Sequence, residues 1–213
     1  SKWKGCPSQT AGKLILELSR NFDKNKSLHK LSQKITREKL DQKYFINKYS
    51  IKYNQFKNEI SYNFECPSAL VKVSAINDSG HVVSSSVLVD NGSLYDLTYE
   101  TLLKSEKILK EELPTLAISA EVLDETYKSL VTSFFINLDP LSKKLMSEMI
   151  IDEDGKMTII LSHRRRPTSV FLGRENWKEK QIKLTRMVKY LTKKKSLPKI
   201  INMTNLKKVV VKF

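Results

Sequence analysis

Residues 170–213 carry the pattern that decides the fold, and they read VFLGRENWKEKQIKLTRMVKYLTKKKSLPKIINMTNLKKVVVKF. The apolar residues at the start predict a strand that stops at Gly173. Asn176 is a candidate N-cap for a following helix, and Glu179, three residues on, is placed to reach back to it as in a capping box. An apolar stripe with helical spacing then predicts an amphipathic helix. Its members are Leu184, Met187, Val188 and Leu191, with Trp177 one heptad earlier.

The opposite face of this predicted helix is basic, and we expect it to face solvent. It carries Lys178, Lys180, Lys183, Arg186, Lys189 and Lys193. Further lysines at 193–195 suit the helix carboxyl terminus, where the macrodipole favours cations, and Pro198 prevents the helix from continuing. Two short apolar runs, residues 200–203 and 209–213, predict a final pair of strands.

This order of a strand ending in Leu-Gly, a Lys- and Arg-rich helix and two last strands resembles the carboxyl-terminal β-domain of the FtsQ/DivIB family of bacterial cell-division proteins. Segments between residues 87 and 116 resemble the same family. Val87–Gly92 is similar to its Leu-Val-Asp-x-x-Gly segment, and Leu113–Leu116 to its Leu-Pro-x-Leu.

The first 66 residues have the pattern β-α-α-β-β. Residues 2–4 predict the end of a strand, and Ser8 or Thr10 is placed to cap a helix whose apolar stripe is Ala11, Ile15, Leu18 and Phe22. A second helix carries Leu28, Leu31 and Ile35, and we expect it to start at Ser32. Alternating apolar residues at 49–53 and 60–66, separated by a turn at 54–58, then predict a hairpin.

That order resembles a POTRA domain, which the FtsQ/DivIB family carries outside the membrane. Phe45-Ile46 before the hairpin and the segment 65–69 after it support the resemblance, whereas Phe56 stands near the place where the family has Pro in the turn. We therefore predict an α+β chain with two domains. Residues 1–67 form a POTRA domain, and residues 68–213 form a mixed or antiparallel β-domain with a carboxyl-terminal helix and strands.

Between these segments the pattern is mostly β. Strands are predicted at 70–76 and 81–90, and the Asn-Gly at 91–92 predicts a hairpin. Residues 98–112 are expected to form a charged helical insert or loop, and 123–136 a helix. A second hairpin is predicted over residues 144–161, with an acidic turn at 152–155.

The formal net charge of +15 is unevenly distributed along the 213 residues. Residues 1–66 carry 14 Lys or Arg against 6 Asp or Glu, residues 67–155 carry 7 against 15, and residues 156–213 carry 17 against 2. Such asymmetry indicates an acidic or anionic partner for the last third, although solvated lysines explain it equally well. The sequence contains no run of 18 apolar residues and no signal-peptide pattern.

No catalytic constellation is visible in the sequence. It lacks a Gly-rich phosphate loop and a Gly-x-Ser-x-Gly segment, and His29, His81 and His163 lie in different segments. The acidic residues at 152–154 fit a turn better than a Ca²⁺ loop. Three consecutive arginines, Arg164, Arg165 and Arg166, fit either an anion site or a charged turn.

The resemblance implies a non-enzymatic scaffold without cofactor or metal. Such proteins recruit other division proteins of the FtsB and FtsL type during septum formation, and no nucleic acid is expected. The resemblance further implies a location outside the plasma membrane, held by a single membrane segment preceding Ser1. The alternatives are a basic nucleic-acid-binding protein and a POTRA-bearing outer-membrane assembly or secretion component.

The resemblance also implies where partners bind, namely at the last strand by strand addition and charge. The residues assigned to this site are Thr204, Asn205, Lys207, Lys208, Val209, Val210, Val211, Lys212, Phe213 and Trp177. Thr204-Asn205 replace an Arg-Tyr pair of the family. In a POTRA domain Cys6 and Cys66 come near the same strand end, so either a disulfide or two buried thiols is expected there.

Overall fold

The computed structural model describes residues 2–25, 27–163, 166–194 and 197–213. The fold class is α+β with a large mixed sheet, as predicted. The chain divides into two compact units, the first made of residues 1–68 and 97–111 and the second of residues 69–96 and 112–213. This division differs from the predicted domains because residues 97–111 belong with the first unit.

The first unit combines a small sheet with four helices. Its elements are β1 (Lys2–Lys4), α1 (Ser8–Asn25), α2 (Leu28–Arg37), α3 (Leu40–Lys43), β2 (Lys48–Asn54), β3 (Glu59–Glu65) and α4 (Thr98–Ser105). The sheet has the order β1-β3-β2, with β1 parallel and β2 antiparallel to β3. Tyr62 and Phe64 of β3 pack with Leu14, Leu18 and Leu31 in its core.

A disulfide bond joins the two cysteines of the first unit. The structure joins Cys6, just after β1, to Cys66, just after β3, by a disulfide with a Cα–Cα distance of 4.9 Å. Both residues are buried. Because β1 and β3 are parallel neighbours, their carboxyl ends lie side by side, which brings the two thiols together.

The helix α4 completes the first unit from a later part of the chain. Tyr99 is fully buried, donates its hydroxyl hydrogen to the Pro67 carbonyl oxygen, and has its ring centroid 4.7 Å from that of Phe45. Glu106 accepts hydrogen bonds from the Ser8 backbone N–H at 2.6 Å and the Gln9 N–H at 3.1 Å. The Glu106 carboxylate thus accepts hydrogen bonds from the first turn of α1, which explains why the segment that contains α4 packs in the first unit.

The second unit is built on a nine-stranded sheet of the described residues with the order β12-β11-β10-β9-β8-β7-β4-β5-β6. Its strands are β4 (Ala69–Ile76), β5 (Val82–Val89), β6 (Leu94–Tyr95), β7 (Thr115–Ser119), β8 (Met146–Ile151), β9 (Met157–His163), β10 (Arg166–Gly173), β11 (Ile200–Asn202) and β12 (Val210–Lys212). Its helices are α5 (Glu125–Asn137), α6 (Pro140–Leu145) and α7 (Trp177–Lys193). The pairs β10–β11, β7–β8 and β4–β7 are parallel.

Local signals explain most boundaries, but two predicted helix features were wrong. Asn176 lies in the left-handed region with φ 60° and makes no capping bond, because an N-cap needs an extended backbone. The second helix begins at Leu28 and is capped by Ser27, not Ser32. The helix α6, which was not predicted, begins at Pro140, since proline suits the first helical position.

Candidate functional site

The last strand, β12, lies at one edge of the large sheet. It pairs antiparallel with β11, with Ile201 opposite Val211 and Asn202 opposite Val210. Within the described ranges no strand pairs with its other side. The side chains of Val210 and Phe213 are 52% and 67% exposed. The edge therefore offers backbone groups and apolar side chains together.

Lysines flank this edge at both ends of β12. Lys207, Lys208 and Lys212 are exposed, whereas Val209 is partly buried against the main core. Charged side chains on an edge strand hinder pairing between copies of a chain, and they favour an acidic incoming strand.

The loop before β12 is held by two asparagine-based turns. Asn202 Oδ1 accepts hydrogen bonds from the Thr204 N–H at 3.0 Å and from the Thr204 hydroxyl at 2.7 Å. Asn205 Oδ1 accepts from the Lys207 N–H at 2.8 Å. Thr204 and Asn205 are exposed, and this bonding lets the chain reverse between β11 and β12. Their observed contacts are therefore those of a rigid turn.

Trp177 is buried in the core and is not exposed for partner binding. It is only 6% exposed, and its indole N–H donates to the Gly173 carbonyl oxygen at 2.7 Å. Its ring centroid lies 6.1 Å from that of Tyr127. The side chain anchors the start of α7 on the core, so among the predicted partner-binding residues it is the one the structure buries.

Two lysines expected on the solvated face of α7 are not in solvent. Lys180 is 3% exposed, and its ammonium donates to the Leu172 carbonyl oxygen at 2.5 Å. Burial lowers the pKa of Lys180 below its ordinary value. Lys183 is half-buried and donates to the Leu206 carbonyl oxygen. The second bond ties α7 to the loop that leads into β12.

The sequence contained a signal for the burial of Lys180. Lys180 falls between Trp177 and Leu184 at i, i+3 and i+7, which is the spacing of the buried stripe. We predicted that Lys180 would be exposed because it is charged, although its position in the helix places it in the apolar stripe. The exposed cations of α7 are Lys178, Arg186, Lys189 and Lys193. The C-cap residue Lys194 is also exposed, and its ammonium lies over the ring of Tyr190.

The other sites considered from the sequence are a metal site, the acidic turn at 152–154 and the arginines at 164–166. The described residues contain no group of three His, Cys, Asp or Glu suited to a metal ion. Asp152 Oδ1 accepts from the Lys156 N–H at 2.8 Å, and Asp154 pairs with Lys156, as in a closed turn. Arg164 and Arg165 lie outside the described residues, and Arg166 is an exposed residue at the start of β10.

We compared the sequence with models of known protein families and with curated proteins, and neither comparison found a match. A search of the described helices for one long and apolar enough to cross a bilayer was also negative.

Proposed function

We propose that this chain is a non-enzymatic scaffold of the FtsQ/DivIB type, which binds other cell-division proteins during septum formation. The observation that carries the proposal is β12, a basic strand with an open edge at the end of a large sheet. An extended acidic segment of an FtsB- or FtsL-type protein would add to this edge. Main-chain hydrogen bonds would supply affinity, and Lys207, Lys208 and Lys212 would supply selectivity.

The first unit supports the same proposal. Its order is β-α-α-β-β with the short α3 inserted before the hairpin. This order, with a parallel pair β1–β3 and an antiparallel pair β3–β2, supports the POTRA arrangement that the resemblance implies. The disulfide between Cys6 and Cys66 supports a location outside the cytoplasm, because such bonds persist in oxidising compartments.

The experiment compares two consecutive proline substitutions, Val210→Pro and Val211→Pro. Successive N–H groups of a strand point to opposite edges, and proline lacks this donor. One variant therefore loses a bond to β11, and the other loses a donor on the open edge. We expect the variant that loses the open-edge donor to keep its thermal stability. It should bind the partner peptide about tenfold or more weakly, since a lost hydrogen bond costs on the order of 1 kcal/mol and the proline ring adds a clash.

Binding is measured with a peptide that covers the acidic tail of an FtsB-type protein from the same organism. Lys128→Glu on α5 serves as a charge control away from the edge. If both folded proline variants bind the peptide as tightly as the unmodified chain does, addition to β12 is refuted.

A further inference from the structure

The sheet of the first unit has one face that none of the described helices covers. The helices pack on Tyr62 and Phe64, so the residues that alternate with these point the other way. The register places Lys2 opposite Asn63, Asn63 opposite Ser50, and Ser61 opposite Lys52. The members of this open face are Lys2, Lys4, Lys48, Ser50, Lys52, Glu59, Ser61, Asn63 and Glu65.

The open face is basic and exposed, and its members include no large apolar side chain. All four of its lysines are exposed, and Glu65 lies 3.5 Å from the Lys4 ammonium. Glu59 lies at the far end of the hairpin, opposite Asn54. The central rows therefore present lysine, serine and asparagine, which suit an anionic surface with many weak contacts.

An apolar side chain projects at the tip of the hairpin that borders the open face. Phe56 is fully exposed, at 103% of its reference area. The tip is ordered, because Asn54 Oδ1 accepts from the Phe56 N–H at 3.1 Å and the Lys57 N–H at 3.3 Å. The Tyr53 hydroxyl donates to Asn58 Oδ1 at 2.8 Å and closes the turn.

The ring and the lysines are contiguous. A shallow depression beside Phe56 is lined also by Lys52 and Ser61, and the same two residues line the depression on the open face. A projecting phenyl ring thus stands at the border of a flat cationic area.

We propose that the open face and the Phe56 tip form a docking surface for a lipid bilayer containing anionic lipids. The depression beside Phe56 is shallow, whereas the projecting phenyl ring is placed to insert among lipid headgroups. Lysines near an anionic bilayer each contribute attraction, and one apolar group alone binds only marginally. The combination of both signals on one side of the unit is what such a surface requires. This proposal is independent of partner binding at β12.

The experiment measures sedimentation of the 213-residue chain with vesicles of phosphatidylcholine alone or mixed with phosphatidylglycerol. We expect binding to the anionic vesicles only, and weaker binding as salt is raised. Phe56→Ala should lower the partition coefficient roughly tenfold, from the apolar area withdrawn from water. Lys48→Glu combined with Lys52→Glu should lower it more than about tenfold, from the reversal of two charges.

The controls lie on α1, on the other side of the same sheet. Leu16→Ala removes an apolar side chain that is 60% exposed, and Lys13→Glu combined with Arg20→Glu makes the same change in net charge. We expect both controls to keep at least half of the binding. Melting curves verify that each variant is folded.

Three results would overturn the proposal. The first is no sedimentation of the unmodified chain with anionic vesicles, which would leave the face to a protein partner. The second is unchanged binding of the folded Phe56 and lysine variants. The third is an equal loss in the α1 controls, which would mean that net charge alone attracts the chain.

Discussion

At Gly155 both the backbone conformation and a neighbouring side chain favour glycine. It closes the turn between β8 and β9 with φ +72°, in the left-handed region that glycine adopts without strain. A Cβ at this position would lie 2.0 Å from the Tyr127 hydroxyl oxygen, which is far inside van der Waals contact. The Tyr127 hydroxyl therefore occupies space that a side chain at residue 155 would need.

Gly155→Ala is expected to lower the free energy of unfolding by about 3 kcal/mol, from backbone strain and from displacement of the Tyr127 ring. Gly80→Ala is the matched control, because Gly80 has φ +77° and nothing within 4 Å of the added Cβ. It should cost only about 1 kcal/mol. Urea unfolding of both variants measures the difference. Equal losses would mean that the contact with Tyr127 contributes nothing.

The helix α1 depends on a carboxylate supplied from the end of α4. The Ser8 hydroxyl and backbone N–H bonds lower the pKa of Glu106 below its ordinary value. The first N–H groups of a helix have no partner within the helix, and a negative charge there is favourable. One residue thus joins two helices that are about ninety positions apart in the sequence.

Glu106→Ala is expected to destabilise the first unit by about 1 kcal/mol or less, since solvent screens part of the interaction. Because the pKa of Glu106 is lowered in the folded state, its contribution is fully present above pH 4.5. That contribution is lost as the pH falls through the folded-state pKa. Thermal melting at neutral and acidic pH measures this change, with the exposed Glu111→Ala as control. A difference between the variants that does not shrink in acid would contradict the assignment.

The elements that were predictable from sequence are those whose burial follows a simple period. The alternation at Tyr49, Ile51 and Tyr53 corresponds to β2, and the stripe from Leu184 to Leu191 corresponds to the buried side of α7. Lys180 departed from expectation because its long side chain reaches a carbonyl oxygen inside the stripe. Asn176 departed because its backbone conformation, which sequence does not specify, decides whether it caps.

The division of the whole chain could not be predicted from local pattern. Composition and charge change near residue 67, and this suggested a single boundary. The return of residues 97–111 to the first unit depends on the buried Tyr99, which contacts Phe45 and Pro67 far away in the chain. Likewise, the edge position of β12 follows from the strand order of the full sheet, which no local window contains.

This connectivity predicts that residues 1–68 alone are incomplete. The test uses a shortened chain that ends at residue 111 and in which about 15 Gly and Ser residues replace 69–96. We expect its free energy of unfolding to exceed that of residues 1–68 alone by several kcal/mol, because Tyr99 and Leu103 are then buried. Urea unfolding of both polypeptides tests the prediction. Equal midpoints would show that α4 contributes nothing to this core.

The returning segment has a consequence for how the chain matures. Synthesis proceeds from the amino terminus, so the first unit is incomplete until Glu111 has been made. Cys6 and Cys66 both precede Tyr99. Oxidation of this pair therefore provides a covalent link that holds β1 and β3 together while the last part of their core is still being synthesised.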